Sequence, residues 1–134
     1  MKALEFLEQI RKLRAIRSRK VKEIEKCRDR ATRVTSQMGS ERVQASGSMS
    51  KMADESIKIA DIQKDIDAID DTIADVIKVL ERLKTEEYIV LYGMFVEYLP
   101  AFEIAEQELK SVGWVYKARK KGLDEVQKIL DGKK

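Results

Sequence analysis

The chain has 134 residues with 27 basic and 24 acidic side chains, a net charge of +3, one Pro, six Gly and 6% aromatic residues. So much charge and so few turn formers favour long solvated helices over a sheet sandwich, in one ordinary domain or a small domain with a helical extension. No apolar run reaches the ~20 residues of a membrane span, and the first 13 residues lack the apolar core of a secretory signal. A single cysteine and no histidine exclude an internal disulfide, a Cys/His zinc site and histidine-based catalysis. A cytoplasmic, non-enzymatic protein without cofactor or metal is expected.

Residues 1–33 carry 12 basic and 5 acidic side chains. Ala3, Phe6, Ile10, Leu13, Ile24, Cys27, Ala31 and Val34 fall on one helical stripe, which Arg17 and Lys20 interrupt. Cys27 reads as a small buried residue rather than a reactive thiol, because no activating group is evident. On the opposite face, Lys12, Arg19, Lys22, Lys26 and Arg33 form a basic strip that is either a solvated surface or a phosphate-contacting one.

Residues 35–52 are rich in Ser, Gly, Gln and Met and read as a polar loop, too long for a tight turn. Beyond it, residues 54–87 reverse the charge, with 5 basic and 11 acidic side chains. Ile59, Ile62, Ile66, Ile69, Ile73, Val76, Leu80 and Leu83 alternate three- and four-residue steps, the signature of a coiled-coil seam on a helix of six turns or more. Asp65 and Asp70 flank this seam near its midpoint, where the two cations Arg17 and Lys20 face them in either pairing. An antiparallel helical hairpin over residues 1–84 is the economical arrangement, and pairing of the stripes between chains is the other. Asp61 with Asp65, and Asp67 with Asp71, share a face as metal-binding carboxylates do, but without a second carboxylate helix they read as solvating groups.

Residues 85–134 form the second expected domain. The spacing predicts a short helix over 86–96, a second over 101–109 opened by Pro100, and a final helix from Val112 to about Leu130 with Ser111 as its N-cap. In the last helix Val115, Ala118, Gly122, Val126 and Ile129 share one face, and Trp114, Lys117, Lys120 and Lys121 lie on the other. A short helix, a tight turn and a longer basic helix have the shape of a helix-turn-helix. The fold class expected is therefore all-α, a long coiled-coil-like antiparallel hairpin followed by a C-terminal helix-turn-helix.

Glu103-Ile104-Ala105, Ser111, Val115 and the pair Gly122-Leu123 reproduce the spacing of the helix-turn-helix in the fourth region of bacterial sigma factors. The wider order is a charged N-terminal helix, a polar stretch including Arg42-Val43-Gln44-Ala45-Ser46, a heptad helix and a terminal helix-turn-helix. It is similar to that of phage late transcriptional regulators of the RinA and ArpU type. Glu108 and Leu109 stand where that family usually has a Leu followed by a Gly, and Gly122 replaces its customary Ala.

The resemblance implies a sigma-like, sequence-specific regulator of late phage genes acting in the bacterial host cytoplasm, with double-stranded DNA and host RNA polymerase as partners. It also allows self-association through the heptad helix. Ser111 would cap the recognition helix and aim its N-terminal N–H groups at a phosphate, beside Gly113. Lys117 and Lys120, with Lys121 on the same basic side, would reach phosphates or guanine edges. Trp114 would either pack on a thymine methyl or sugar, or lie buried against Tyr98 or Phe102. Two other classes fit the same elements: a phage small terminase subunit, which would form a ring, and a coiled-coil adaptor, which would bind no nucleic acid.

Overall fold

The seam that alternates three- and four-residue steps lies on a helix from Ile59 to Leu80, as its period requires, and its last member, Leu83, falls in the turn beyond. The computed structural model describes residues 1–40 and 45–132, with side chains at 1–32 and 52–132. The described residues are helical throughout apart from short connections, without a strand: α1 (Ala3–Ser40), α2 (Ala45–Glu81), α3 (Thr85–Phe95), α4 (Ala101–Glu108) and α5 (Val112–Leu130). No helix among them is long and apolar enough to cross a membrane. The polar stretch 35–52 departs from the expected loop. Helix α1 continues to Ser40 and α2 begins at Ala45, because Ser, Gln, Met and Ala tolerate helical backbone and Gly39 and Gly47 each weaken it by only about 1 kcal/mol. Residues 41–44 lie outside those described.

The chain divides into two compact units, Met1–Leu13 with Asp71–Lys134, and Arg14–Asp70. Residues 1–13 and 71–84 thus group with the C-terminal helices.

Within Arg14–Asp70, the segments of α1 and α2 run antiparallel. Arg17 bonds Asp70 at 2.7 Å, Lys20 bonds Asp65 at 3.1 Å and Arg30 bonds Glu55 at 2.9 Å, so the partners descend along one helix as they ascend the other. The first two pairs join the very residues that interrupt α1's apolar stripe to the acids flanking α2's seam. Ile24, Cys27, Ile66 and Ile69 are buried between them. Ile59 and Ile62 are half-buried, and the seam continues back to Glu55, whose side chain is 12% exposed.

The Met1–Leu13 and Asp71–Lys134 unit is built around α3, α4 and α5. Buried Val90, Ile104, Ala105, Val115 and Ala118 form a cluster with Met94, Leu99, Ala101 and Trp114 packed against it. Glycine sets the closeness of two helix contacts. A methyl at Gly122 would lie 2.7 Å from Leu91 Cδ1 and 3.3 Å from Glu87 Cβ, and one at Gly93 would lie 2.9 Å from Ile104 Cδ1. Leu7, Ile10, Val76 and Leu80 of this unit are fully buried. The start of α1 is tied to the end of α5: the Ala3 N–H donates to Gln127 Oε1 at 2.8 Å, and Gln127 Nε2 donates to the Met1 carbonyl at 3.2 Å. Arg11 lies 5.3 Å above the Tyr98 ring.

Candidate nucleic-acid interface

The geometry begins at the turn between α4 and α5. Leu109 takes the left-handed conformation, φ 56° and ψ 43°, and the Lys110 N–H donates to the Ala105 carbonyl at 2.9 Å, closing the helix end in the way a C-terminal glycine usually does. Ser111 then adopts an extended backbone and its Oγ accepts from the Trp114 N–H at 3.1 Å, the N-cap expected from the sequence. The first turn of α5 carries no acidic residue, which leaves the positive end of the helix dipole uncompensated within that turn.

Helix α5 presents two faces. Val115, Ala118, Gly122 and Val126 are buried and Ile129 is half-buried, as its apolar period predicts. Ser111, Gly113, Lys117, Lys120 and Lys121 are exposed. Trp114 is different from the other candidates. It is half-buried on the cluster formed by α3, α4 and α5, with Lys110 Nζ 5.8 Å above its ring, so most of the indole serves packing. Tyr98 and Phe102, its expected neighbours, are 40% and 62% exposed.

Two further residues of α5 are exposed beyond those the sequence singles out. Val112 is 41% exposed and Tyr116 56% exposed, one turn apart and interleaved with Gly113, Lys117 and Lys120. The period itself carries the signal for Tyr116, which 3.6 residues per turn send outward once Val115 and Ala118 are assigned to the core; Val112, three residues before Val115, lies on the flank of the buried face and is left open at the first turn. Glu87 is another addition. It is buried on α3, and its Oε2 is enclosed without a hydrogen-bond partner. Its clue is an acid at an apolar register position, four residues after Leu83 and three before Val90.

The basic strip of α1 is divided between the two units. Lys12 is exposed in the first. Arg19, Lys22 and Lys26 are exposed in the second, along a groove of about 400 Å³ that Ile16 and Lys20 also line. The Arg33 side chain lies outside the described residues. Cys27 is buried and its thiol is pushed up from its ordinary value, first by desolvation and then by its bond with Glu55. That keeps it protonated and unreactive. Arg30 Nη2 donates to Cys27 Sγ at 3.2 Å. Asp61, Asp65, Asp67 and Asp71 are exposed, with Asp65 engaged by Lys20. Comparison with protein-family models, curated proteins and solved structures finds no match to this chain.

Proposed function

We propose that the protein is a sequence-specific DNA-binding regulator of phage late transcription, in which α4, the Leu109 turn and α5 act as a helix-turn-helix and α5 is the recognition helix. The single observation carrying this reading is the outer face of α5, where Lys117, Lys120 and Lys121 are open to solvent on a helix whose other face is buried. The uncompensated N-terminus above Ser111 favours a backbone phosphate. Lys117, Lys120 and Lys121 supply phosphate and guanine contacts, and Val112 and Tyr116 take the apolar contacts to thymine methyls for which Trp114 is too far turned inward. The antiparallel segments of α1 and α2 act as a helical hairpin, and the cations of α1 add a sequence-independent electrostatic attraction. Binding to host RNA polymerase belongs to the same proposal and rests on the sigma-like spacing alone.

Fluorescence anisotropy with labelled promoter duplexes over a salt series tests it. Wild type binds with affinity falling steeply as salt rises. Lys117→Ala and Lys120→Ala each weaken binding, and removing one lysine–phosphate pair lowers the slope of log K against log salt by about 1. Binding that neither substitution alters would place the DNA elsewhere and remove the basis for the recognition-helix assignment.

A further inference from the structure

Beside the indole of Trp114, between the start of α3 and the flank of α5, lies a cavity of about 180 Å³ whose lining includes Lys84, Lys117 and Lys121, the two acids Glu86 and Glu87, and Trp114. Glu87 is 5% exposed. Its Oε2 meets no donor, although Lys84, Lys117 and Lys121 share the cavity wall. A buried carboxylate oxygen without a partner is costly to keep. It marks a place where a hydrogen-bond donor is due.

The lining asks for three properties in one molecule. The enclosed Glu87 oxygen calls for an N–H donor, the three ammonium groups, which outnumber the carboxylates of Glu86 and Glu87, favour an anion, and the indole favours a flat apolar body. Inorganic phosphate would satisfy the lysines and leave Glu87 unpaired. An arginine side chain from a partner protein would satisfy Glu87 but would face three like charges. Among nucleobases, guanine carries adjacent N1–H and N2–H donors on one edge and so can give a carboxylate two parallel hydrogen bonds. Adenine and cytosine set one amino donor beside a ring acceptor, and uracil has a single N–H between two carbonyls.

We propose that this cavity binds a guanine nucleotide. The base edge bonds the Glu87 carboxylate after a small turn about its last side-chain torsion, the ring lies along Trp114, and the phosphate at the mouth is held by Lys84, Lys117 and Lys121. Two of these lysines also belong to the proposed DNA face, so an occupied cavity would compete with DNA. That consequence rests on the DNA reading, whereas nucleotide binding itself does not.

Trp114 is the sole tryptophan, so the intrinsic fluorescence of the full chain reports on the cavity wall directly. Titration with guanosine monophosphate at low salt is expected to give a saturable change. Adenosine monophosphate and inorganic phosphate are expected to bind at least about tenfold more weakly, a margin of ~1.4 kcal/mol. Glu87→Gln, checked for an unchanged helical circular dichroism spectrum, replaces one acceptor by a donor and is expected to lose the preference for guanine. Lys84→Ala, which alters a residue outside the helices, is expected to weaken binding of all three ligands and carries the test if Glu87→Gln does not fold. No saturable response to guanosine monophosphate, an equal response to the adenine nucleotide or to phosphate, or a guanine preference unchanged in a folded Glu87→Gln would each overturn the proposal. A protein that binds promoter DNA but not the nucleotide sinks this site alone; one that binds the nucleotide but no DNA sinks the regulator reading and leaves the site standing.

Discussion

Leu109 occupies a position that chemistry reserves for glycine. Its φ of 56° brings the side chain toward the neighbouring carbonyl at a cost of about 1–2 kcal/mol, and at 91% exposure the leucine recovers almost nothing by burial. Leu109→Gly removes that strain but gives up part of the gain in unfolded-state entropy, for a net stabilisation of about 0.5–1 kcal/mol. Thermal unfolding followed by circular dichroism should show a midpoint raised by roughly 2–4 °C; a lowered midpoint would mean that the leucine side chain makes contacts its exposure does not suggest. The sequence already places a non-glycine residue where a left-handed helix end usually carries Gly. Two constraints keep the turn in the left-handed form regardless. Lys110 must reach back to the Ala105 carbonyl, and Ser111 must turn extended to cap α5.

The helices themselves are largely legible in the sequence, because period and capping are local. The starts of α4 and α5 and the Ser111 cap follow from spacing, and the meeting of Arg17 and Lys20 with Asp65 and Asp70 follows from charge, although which cation takes which acid is visible only in the fold. Closeness of packing is not legible, since a glycine within a helix carries no mark of what lies opposite. Gly122 is such a case. Alanine there would gain about 1 kcal/mol of helix propensity, but its methyl would meet Leu91 Cδ1 and Cγ and Glu87 Cβ, and Leu91 is fully buried, so its displacement must disturb the packing around it. Overpacking of this kind costs about 1–3 kcal/mol. Gly122→Ala is therefore expected to lower the unfolding midpoint, while Gly113→Ala, whose nearest new neighbour is Ser111 Oγ at 3.8 Å, should raise it. Equal shifts from both would show that α3 and α5 can separate freely. In the Arg14–Asp70 unit, register depends on Glu55 at the end of the apolar seam. The bond donated by Arg30 holds its carboxyl below the ordinary value of 4.5. A depressed folded value means stabilisation present above pH 4.5 and lost as pH falls through the folded value. Glu55→Gln should flatten the pH dependence of stability in that acid range, as denaturant melts at successive pH values would reveal; an unchanged acid limb would remove Glu55 from the balance.

At the scale of the molecule, residues 1–13 and 71–132 belong to one compact unit. Local pattern alone puts the boundary between residues 84 and 85, because the heptad spacing stops there and the turn chemistry changes. Long-range burial is what local pattern lacks: Ile10 reads as an ordinary seam residue of α1 and Leu7 lies off the stripe, where the spacing favours Phe6, yet Leu7 and Ile10 are fully buried in the unit that contains α5 and Phe6 is only half-buried. The same unit takes Val76 and Leu80 from the end of α2, and the Ala3 N–H bonds Gln127. Truncating one such leucine or isoleucine to alanine costs about 2–5 kcal/mol, against a total stability of about 5–15 kcal/mol for a typical domain. A fragment of residues 85–134 lacks all four of these side chains, and a chain of about 50 residues has little core to spare. It should melt broadly and without a cooperative transition, whereas the full chain melts cooperatively. Leu7→Ala in the full chain should destabilise the α3–α5 region, although residue 7 lies far from α3 in the sequence. Hydrogen exchange resolved by peptide gives the decisive comparison. Faster exchange in α5 upon Leu7→Ala is the expected result; unchanged exchange there, together with a cooperatively folding 85–134 fragment, would show that the helical head stands alone and that the boundary read from the sequence is the physical one.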